Sequence, residues 1–370
     1  MINCCFSIGY FKKVCFMKKY ISLYLVLILF CSCKNEIQTE PIISSVEIEA
    51  IMEDSISIRA IWVGEKELWY SGNNGKYGAI QLDNFQKFKG KIIKDSLALE
   101  FRSLAKTDSA TFVLNVGNPA YLYKISNDKS HTQLVYTETH ENVFYDSMQF
   151  LDATFGIAMG DPIEDCLNVI VTSDGGNSWK KIPCKNLPKT IEGEAAFAAS
   201  NTNLIIRGNS IFMVSGGKKA RCFVSINKGN SWQVYETPII QGEAMTGIFT
   251  ADFYDENIGF IAGGNYENPL NNKQNKAITF DGGKTWKLVA DGTGFGYASC
   301  VQFVPNSKGK SLICVGKTGI HYSNDFGENW KLLDATDDLY TIRFLNDSIA
   351  FAAGKNKIVK LILKSKEAIN

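Results

Sequence analysis

The sequence predicts an all-β fold, a seven-bladed β-propeller, from three observations. A phrase of the pattern (Ser/Thr)-x-(Asp/Asn)-x-Gly-x-(Ser/Thr/Asn)-Trp occurs four times in the 370 residues, at intervals of about 50 residues. Short apolar segments separated by turn residues form seven similar units, and no stretch keeps a helical periodicity. An alternating segment at residues 46–51 precedes the first unit without belonging to it.

The repeated phrase predicts a tight turn between two strands. Its Asp or Asn side chain accepts hydrogen bonds from backbone N–H groups two or three residues further on, and its Gly supplies a positive φ. We expect the ring of the final Trp to pack under the hairpin. The residues predicted to have these structural roles are Asp174 and Trp179, Asn227 and Trp232, Asp281 and Trp286, and Asp325 and Trp330.

This phrase resembles the Asp-box, or BNR, repeat of the sialidase superfamily. Four copies in one chain make the resemblance specific for architecture. It implies a propeller whose Asp boxes lie at the periphery of the blades and brace the fold. It implies almost nothing about chemistry, because a fold of this kind carries many unrelated functions.

Each predicted blade begins with an innermost strand, and the last blade has room for only three strands. The segment at 46–51 is therefore expected to supply the outer strand of blade seven and to close the ring. A two-domain β-sandwich, the alternative, does not explain a turn repeated at this period. The propeller domain is predicted to span residues 45–365, with innermost strands at 58–63, 101–104, 145–150, 194–197, 249–253, 299–303 and 340–344.

Residues 1–33 are predicted to be a signal peptide that ends in a lipidation site. Lys18 and Lys19 precede an apolar run at 20–30 that is too short for a membrane-spanning helix. The following residues resemble a bacterial lipobox with Cys33 as the acylated residue, although Phe30 stands where that pattern has an aliphatic residue. An uncleaved signal anchor is the alternative.

The segments around this signal complete the predicted organisation. Residues 1–16 show no clear pattern, so Met17 is an alternative start. Residues 34–44 are expected to form a polar tether, and residues 366–370 a tail. We expect a lipid-anchored protein of the cell envelope, at the outer membrane, in the periplasm or on the cell surface.

The cysteines that follow the predicted cleavage site allow two disulfides. Cys166 with Cys184 and Cys300 with Cys314 are spaced to face each other across hairpins. Buried free thiols are the alternative for each pair, and the odd count after Cys33 argues against a complete disulfide framework. Neither pair has the spacing of metal ligands, and the chain has only three His, so no metal site is predicted.

Charge and motifs exclude several classes of function. The net charge of +1 gives no electrostatic case for nucleic acid. No Gly-x-Gly-x-x-Gly motif opens a helix after a strand, and no cysteine pattern for haem or an iron–sulfur cluster occurs. We therefore predict no cofactor.

Polar residues at the innermost strands predict a binding site in the central channel. Two guanidinium groups and two carboxylates near one axis are able to bind a peptide carboxylate or another acidic group. The alternative is that these charges pair only with one another. The predicted channel residues are Arg59, Arg102, Asp146, Glu194 and Tyr340, with Thr250 and Ser299 at equivalent positions and Asp161, Arg207, Arg221 and Tyr266 nearby.

The stretches at 57–61, 155–162 and 193–200, with the Asp boxes, resemble the family related to the photosystem II stability/assembly factor. The resemblance covers about residues 45–363. It implies an exported seven-bladed propeller and, in photosynthetic members, chaperone-like binding of a membrane-protein precursor. For this chain it implies a non-catalytic propeller that binds a protein or peptide of the envelope.

Two other classes of function remain as alternatives. A sialidase-like glycoside hydrolase needs three arginines on the substrate carboxylate, and the whole chain has five: Arg59, Arg102, Arg207, Arg221 and Arg343. Binding of a glycan without hydrolysis is a weaker form of this alternative. An oxidoreductase propeller has no supporting motif.

Overall fold

Strands and short turns make up almost all of residues 42–366, the part of the chain that the computed structural model describes. The predicted signal peptide with Cys33 and most of the predicted tether lie outside these residues, as does the tail beyond 366. β1 begins at Ile42, inside the predicted tether. Within this part of the chain, no helix has the length and hydropathy that a membrane span requires.

The strands are short apart from the first and the last, and one 3-10 helix, Cys184–Asn186, interrupts them. The strands up to the middle of the chain are β1 (Ile42–Val63), β2 (Glu67–Gly72), β3 (Lys76–Gln81), β4 (Lys87–Lys91), β5 (Phe101–Lys106), β6 (Ala110–Asn115), β7 (Ala120–Ser126), β8 (Thr132–Glu138), β9 (Tyr145–Phe150), β10 (Gly156–Gly160), β11 (Asn168–Thr172) and β12 (Lys180–Lys181).

The second part of the chain continues the same pattern. Its strands are β13 (Glu194–Ala195), β14 (Leu204–Arg207), β15 (Ser210–Val214), β16 (Gly216–Gly217), β17 (Arg221–Ser225), β18 (Gln233–Glu236), β19 (Thr246–Phe253), β20 (Gly259–Asn265), β21 (Lys276–Thr279), β22 (Lys287–Leu288), β23 (Ala298–Phe303), β24 (Leu312–Gly316), β25 (Gly319–Ser323), β26 (Lys331–Asp334), β27 (Leu339–Phe344) and β28 (Ile349–Lys366).

These strands form six antiparallel sheets. Four sheets have four strands each: β5–β8, β9–β12, β14-β15-β17-β18 and β23–β26. A six-stranded sheet has the order β13-β16-β19-β20-β21-β22, and the other has the order β27-β28-β1-β2-β3-β4.

The prediction of seven separate blades is wrong, because β1 is one continuous strand shared by the first and last predicted blades. Its N-terminal part pairs with β28, with Val46 opposite Leu363, and its C-terminal part pairs with β2, with Ile61 opposite Tyr70. The two predicted blades are therefore hydrogen-bonded into one sheet of six strands.

The strands nearest the axis contact one another in turn around it, and the sheet that contains both β27 and β1 contributes two of them. The contacts run from β1 to β5, β9, β14, β19, β23 and β27, and β27 contacts β1. The hydrophobic core lies between neighbouring sheets: for example, Phe112 and Leu122 of one sheet pack with Met148 and Ile170 of the next. Each sheet is therefore stabilised mainly by the apolar area that it buries against its two neighbours.

In all four Asp boxes the Asp or Asn side chain accepts a backbone N–H, but the donor shared by all four lies four residues further on instead of the predicted two or three. A donor three residues further on is present in the first and third boxes. The Asp or Asn oxygen accepts the backbone N–H of the residue before the Trp, at 2.9–3.0 Å. The Ser or Thr that opens the box accepts the N–H of a glycine, at 2.8–3.0 Å, and that glycine has a φ between 78° and 84°. Only glycine adopts this conformation without strain.

The Trp of an Asp box also joins neighbouring sheets. Trp179 contacts Phe150 of its own sheet and Phe112 of the preceding sheet, edge to face. Trp330 contacts Phe260 of the preceding sheet with the two rings tilted by 59°. The box is thus a turn and a packing element together, as the sequence predicted.

The two cysteine pairs differ. Cys166 and Cys184 form a disulfide with a Cα–Cα distance of 5.7 Å. Cys300 and Cys314 are free and buried. In the register of β23 and β24, Cys314 is opposite Val301, so the two thiols lie one residue out of register and on opposite faces of the sheet. Each packs in a different hydrophobic core.

Substitution of an Asp-box glycine tests the role of the box in packing. A Cβ on Gly176 would lie 2.3 Å from the Phe112 ring, at a φ of 78°. We expect Gly176→Ala to lower the free energy of unfolding by roughly 2–4 kcal/mol, measured by urea denaturation. Gly292→Ala is the control, because Gly292 has a φ of 73° but no atom within 4 Å of the added Cβ. Equal losses in both variants would contradict the packing role.

Candidate functional site

The axis of the sheets is occupied by a segment of the chain itself. Residues 199–203, here called the axial segment, follow β13 and lead into β14, and all five are buried. Asn201 has a φ of 58°, which turns the segment across the axis. Its side-chain oxygen accepts the N–H of Met148, at 2.9 Å, and its side-chain nitrogen donates to the Leu104 carbonyl, at 2.8 Å. One amide therefore connects β5 and β9.

The remaining innermost strands bind the same segment. The Ser200 hydroxyl donates to the Ser299 carbonyl at 2.7 Å, and the Thr202 and Thr250 hydroxyls lie 2.8 Å apart. Arg343 donates to the Ser200 carbonyl at 3.2 Å. The predicted channel is thus filled with hydrogen-bonded backbone, and a ligand has access only to its mouth.

A β-bulge places one residue of each of several innermost strands at that mouth. The register shifts near the start of β5, β9, β19, β23 and β27, and between Ile58 and Ala60 in the C-terminal part of β1. A bulge leaves one residue unpaired and re-aims its side chain. The residues at the shifts are Arg59, Arg102, Asp146, Phe249, Ser299 and Tyr340.

The sequence analysis placed Thr250 of β19 at the position equivalent to Arg59 and Arg102, and this was wrong by one residue. Phe249 is the bulged residue, and Thr250 lies one layer deeper, where it bonds Thr202. Glu194 was also misplaced: it belongs to the two-residue strand β13, whereas the innermost strand in this region is β14. The stretch 196–203, which separates them, crosses the axis and is not a regular strand.

Two adjoining cavities lie over the mouth of the channel, and we call this surface the ligand face. They have volumes of about 500 and 400 Å³. Both are lined by Arg59, Tyr266 and Tyr297, so they meet at these three side chains. The larger cavity also contains Tyr340, Lys317, Lys355 and Asp337, and the smaller one Arg102, Asp161, Phe249 and Met245.

Arg59 is the cation at the junction of the two cavities. Its guanidinium lies 4.4 Å from the centre of the Tyr340 ring and donates to the Ala199 carbonyl at 3.2 Å. Within residues 42–366 it forms no ion pair, and neither does Lys355 in the same cavity. Asp337 and Asp338 line the same cavity but pair with Lys317 and Lys357, so Arg59 and Lys355 are left without an ion pair among the described residues.

An aromatic ridge separates the cavities. Tyr266, which is 48% exposed, meets Tyr297 edge to face at 5.2 Å between ring centres. Tyr297 meets Phe249 at 4.8 Å, and Phe249 stacks on Phe197 at 3.8 Å. The packed rings of Tyr297, Phe249 and Phe197 fix the ridge, while the exposed ring of Tyr266 is open to a ligand.

A pair of carboxyl groups lies beside Arg102. Asp146 is wholly buried, and burial raises its pKa well above the usual range, with a further increase from Asp161 and an opposing effect of Arg102. Burial also raises the pKa of Asp161 to about 6, although the Ala196 N–H donates to its carboxylate at 2.7 Å. Arg102 itself is paired with Glu100 at 2.7 Å. This side of the ligand face therefore changes its charge near neutral pH.

Three predicted channel residues are instead used inside the structure. Glu194 is buried and paired with Arg221, whose Nε lies 3.0 Å from Oε1. Arg207 pairs with the buried Asp252 at 2.8 Å, at the far end of its strand from the mouth. None of these three lines either cavity over the mouth. For Glu194, Arg207 and Arg221, pairing with charges of the chain itself therefore describes the structure better than a ligand-binding role does.

Several residues of the ligand face were not predicted. Tyr297 directly precedes β23, Lys317 lies in the turn after β24, and Lys355 lies within β28. The alignment of these positions with the axis depends on long-range contacts. The sequence does contain one local signal, the short Gly316–Gly319 turn, which brings Lys317 close to the mouth.

Three side chains lie close enough together to be compared with a metal site. Within the described residues they are Glu164, Asp165 and Cys184. Cys184 is committed to its disulfide, so its sulfur is not a thiolate ligand. We assign no metal to this group.

Comparison with protein families supports the architecture of the repeats. The family model described as "BNR/Asp-box repeat" matches residues 277–288, which contain the third Asp box. No curated protein matches the chain.

Comparison with solved structures shows a β-propeller fold. The structure titled "YCF48 bound to D1 peptide" has a TM-score of 0.63 and 11% identity, covering 89% of this chain and 99% of that chain. YCF48 from Cyanidioschyzon merolae has a TM-score of 0.62 and 12% identity, covering 86% and 98%. The WD40 repeats of RRP9 are as similar, with a TM-score of 0.63, 12% identity, and coverage of 87% and 100%. At these identities the likeness shows the fold alone.

The Asp161 carboxyl predicts a pH-dependent stability. Because its pKa is raised from 3.8 to about 6, the folded chain holds this proton more tightly than the unfolded chain. This contribution is complete below about pH 4 and is lost as the pH rises through about 6. We expect Asp161→Asn to leave stability nearly unchanged at pH 4 and to raise it by roughly 1–2 kcal/mol at pH 7.5, measured by urea denaturation.

The matched control is Asp83→Asn, a change of the same kind at an exposed turn. It should alter stability by less than about 0.5 kcal/mol at both pH values. An effect of Asp161→Asn that is the same at pH 4 and pH 7.5 would refute the raised pKa.

Proposed function

We propose that this chain is a non-catalytic propeller that binds a peptide segment of a protein partner on the ligand face. The observation that carries the proposal is the meeting of two cavities at Arg59, Tyr266 and Tyr297. Because the two cavities share these three lining residues, an extended chain is able to run from one cavity into the other. The axial segment closes the channel below, so a bound segment has to lie across the mouth.

The chemistry of the two cavities favours a partner segment that carries a carboxylate. Arg59 and Lys355 have no acidic partner within the described residues, and a carboxylate satisfies such cations with charge-assisted hydrogen bonds. The exposed Tyr266 ring offers apolar contact to a neighbouring side chain of the same segment. The solved propeller titled as bound to the D1 peptide supports a peptide ligand for this fold.

The other functions have less support. A sialidase-like reaction needs a free Tyr–Glu pair, whereas Glu194 is held by Arg221 and lies outside both cavities, and Tyr340 lies under Arg59. Binding of a glycan is favoured by one observation, the exposed ring of Tyr266 beside polar groups. Such binding would use the same ligand face.

We also propose the predicted cellular setting. A signal peptide at 1–33 and acylation of Cys33 would hold the propeller at the cell envelope. There its ligand face would bind a membrane or exported protein, in an assembly-factor or scaffold role. The pairing of β1 with β28 would close the ring and remove a free sheet edge. The disulfide between Cys166 and Cys184 fits an oxidising compartment.

Loss of the two arginines tests the binding role. We expect the double variant Arg59→Ala/Arg102→Ala to weaken capture of the partner by at least about tenfold, because each charge-assisted bond contributes roughly 1.5–3 kcal/mol. The measurement is a quantitative pull-down from solubilised envelope with the purified protein as bait.

The matched control is Lys284→Ala/Lys310→Ala, which removes two exposed positive charges from Asp-box and strand turns at the other end of the sheets. It should capture the partner as the unchanged protein does. If the arginine variant unfolds cooperatively at an unchanged temperature and still captures the partner fully, the proposal fails.

Removal of the acylated cysteine tests the cellular setting. We expect Cys33→Ser to abolish incorporation of a labelled fatty acid and to release the protein from the membrane fraction, because the serine hydroxyl offers no thiol for acylation. Cys31→Ser is the control and should keep both properties. Fatty-acid labelling that persists in Cys33→Ser would contradict acylation at this residue.

A further inference from the structure

The Asp-box turns lie at the opposite end of the sheets from the ligand face. In each antiparallel four-stranded sheet, the innermost strand begins at the ligand face and the next strand returns to it. The third strand leads away again, so the turn into the fourth strand lies at the far end. The Asp boxes occupy such turns, for example between β17 and β18 and between β21 and β22.

Apolar side chains project from this far end. Ile226 in the second Asp box is 73% exposed, and Phe280 in the third is 55% exposed. The Phe280 ring contacts Phe326 of the fourth box, with 5.4 Å between ring centres. Ile42, the first residue of β1, is 56% exposed. These four residues, Ile42, Ile226, Phe280 and Phe326, are called the apolar turn surface below.

A chain of contacts joins the start of β1 to the two phenylalanines. The Ile43 N–H donates to the Tyr322 hydroxyl, which lies 3.3 Å from the Ser311 hydroxyl. Next to Ser311, the Lys310 carbonyl accepts the N–H of Phe326 at 2.9 Å. The polypeptide that precedes Ile42 therefore joins the propeller beside Phe280 and Phe326.

The Ile226 turn is connected to the same region through a turn between strands. The Lys228 N–H donates to the Asn209 carbonyl, and the Asn209 N–H donates to Glu256 at 3.3 Å. The neighbouring residue Asn257 accepts, through its carbonyl, the N–H of Gly282 in the third box. The exposed apolar residues therefore follow one continuous row of turns.

We propose that the apolar turn surface rests on the lipid bilayer and turns the ligand face away from it. The proposal depends on the proposed acylation at Cys33, which precedes Ile42 by only a short segment. Exposed apolar side chains on the tips of turns are able to insert among lipid headgroups, and a covalent lipid attached close by holds them at that depth. A lipid anchor with a second apolar contact gives a fixed orientation that the anchor alone does not give.

The charges near this surface predict which lipids are needed. Lys284 and Lys310 lie beside the acidic residues Asp281 and Asp325, whose carboxylates are hydrogen-bonded within their own turns. Positive and negative charges are thus both present, and a cluster of basic residues is absent from these turns. Contact with the bilayer should therefore be similar on zwitterionic vesicles and on vesicles with anionic lipid.

The experiment places a fluorescent reporter at each end of the full-length acylated protein. Phe280→Trp puts a tryptophan on the apolar turn surface, and Leu270→Trp puts one at an exposed position beside the ligand face, where Leu270 is 76% exposed. Both proteins are reconstituted in phosphatidylcholine vesicles with or without brominated acyl chains. The unchanged protein gives the background of the native tryptophans.

We expect brominated lipid to quench the added fluorescence of Phe280→Trp at least twofold more than that of Leu270→Trp, with the same result when phosphatidylglycerol is added. Proteins that float with the vesicles but show equal quenching, or the reverse order, would overturn the orientation while leaving the anchor intact. Failure to float would overturn the anchor and the orientation together. Weak quenching of Phe280→Trp, in a protein that forms dimers in detergent, would show that a second copy covers the surface. This result would also overturn the proposal.

The apolar residues themselves provide a second test. Ile226→Ser/Phe280→Ser keeps the Asp-box hydrogen bonds, which use neither side chain. This variant should still float, but the quenching of its native Asp-box tryptophans should decrease at least twofold compared with the unchanged protein. Leu270→Ser is the control and should leave that quenching unchanged, whereas an equal decrease in both variants would refute a specific lipid contact.

Discussion

The hydrogen-bonded axial segment is the constraint on which the rest of the structure depends. Innermost strands around an axis need a filled centre, because their polar backbone and hydroxyl groups cannot remain buried without partners. Asn201 forms hydrogen bonds with β5 and β9, while Ser200 and Thr202 form hydrogen bonds with β23 and β19. The cost is an unusual backbone at Asn201, with a φ of 58°. The benefit is that the seven innermost strands share one rigid centre.

Closure of the axis confines the proposed ligand binding to the mouth of the channel. A ligand cannot enter the channel, so the side chains available to it are those at the mouth, where bulges leave single residues outside the strand pairing. Arg59 illustrates the coupling: one nitrogen holds the axial segment, the guanidinium covers Tyr340, and the same group lines both cavities. The proposed binding at the ligand face would therefore use Arg59, which also holds the axial segment.

The parts of this structure that sequence could predict are those with local causes. An Asp box is recognisable because its side chain, glycine and tryptophan act within eight residues. In all four boxes the Asp or Asn side chain accepts a backbone N–H, although from four residues further on instead of two or three. The axial segment has no such signature, since its partners are distant in sequence: Ser200 and Ser299, for example, are 99 residues apart. The same reason explains why Glu194 was assigned to the channel although Arg221 binds it, and why continuous β1 was divided between two blades.

The central claim is that a partner lies across the ligand face while the Asp-box turns remain free of it. Hydrogen exchange followed by mass spectrometry, with and without the captured partner, tests this most directly. The account predicts slower exchange in the backbone around Tyr266, Lys317 and Leu339, which line the two cavities, and unchanged exchange in the four Asp-box turns. Slower exchange in the Asp-box turns, with the backbone around the cavities unchanged, would contradict it.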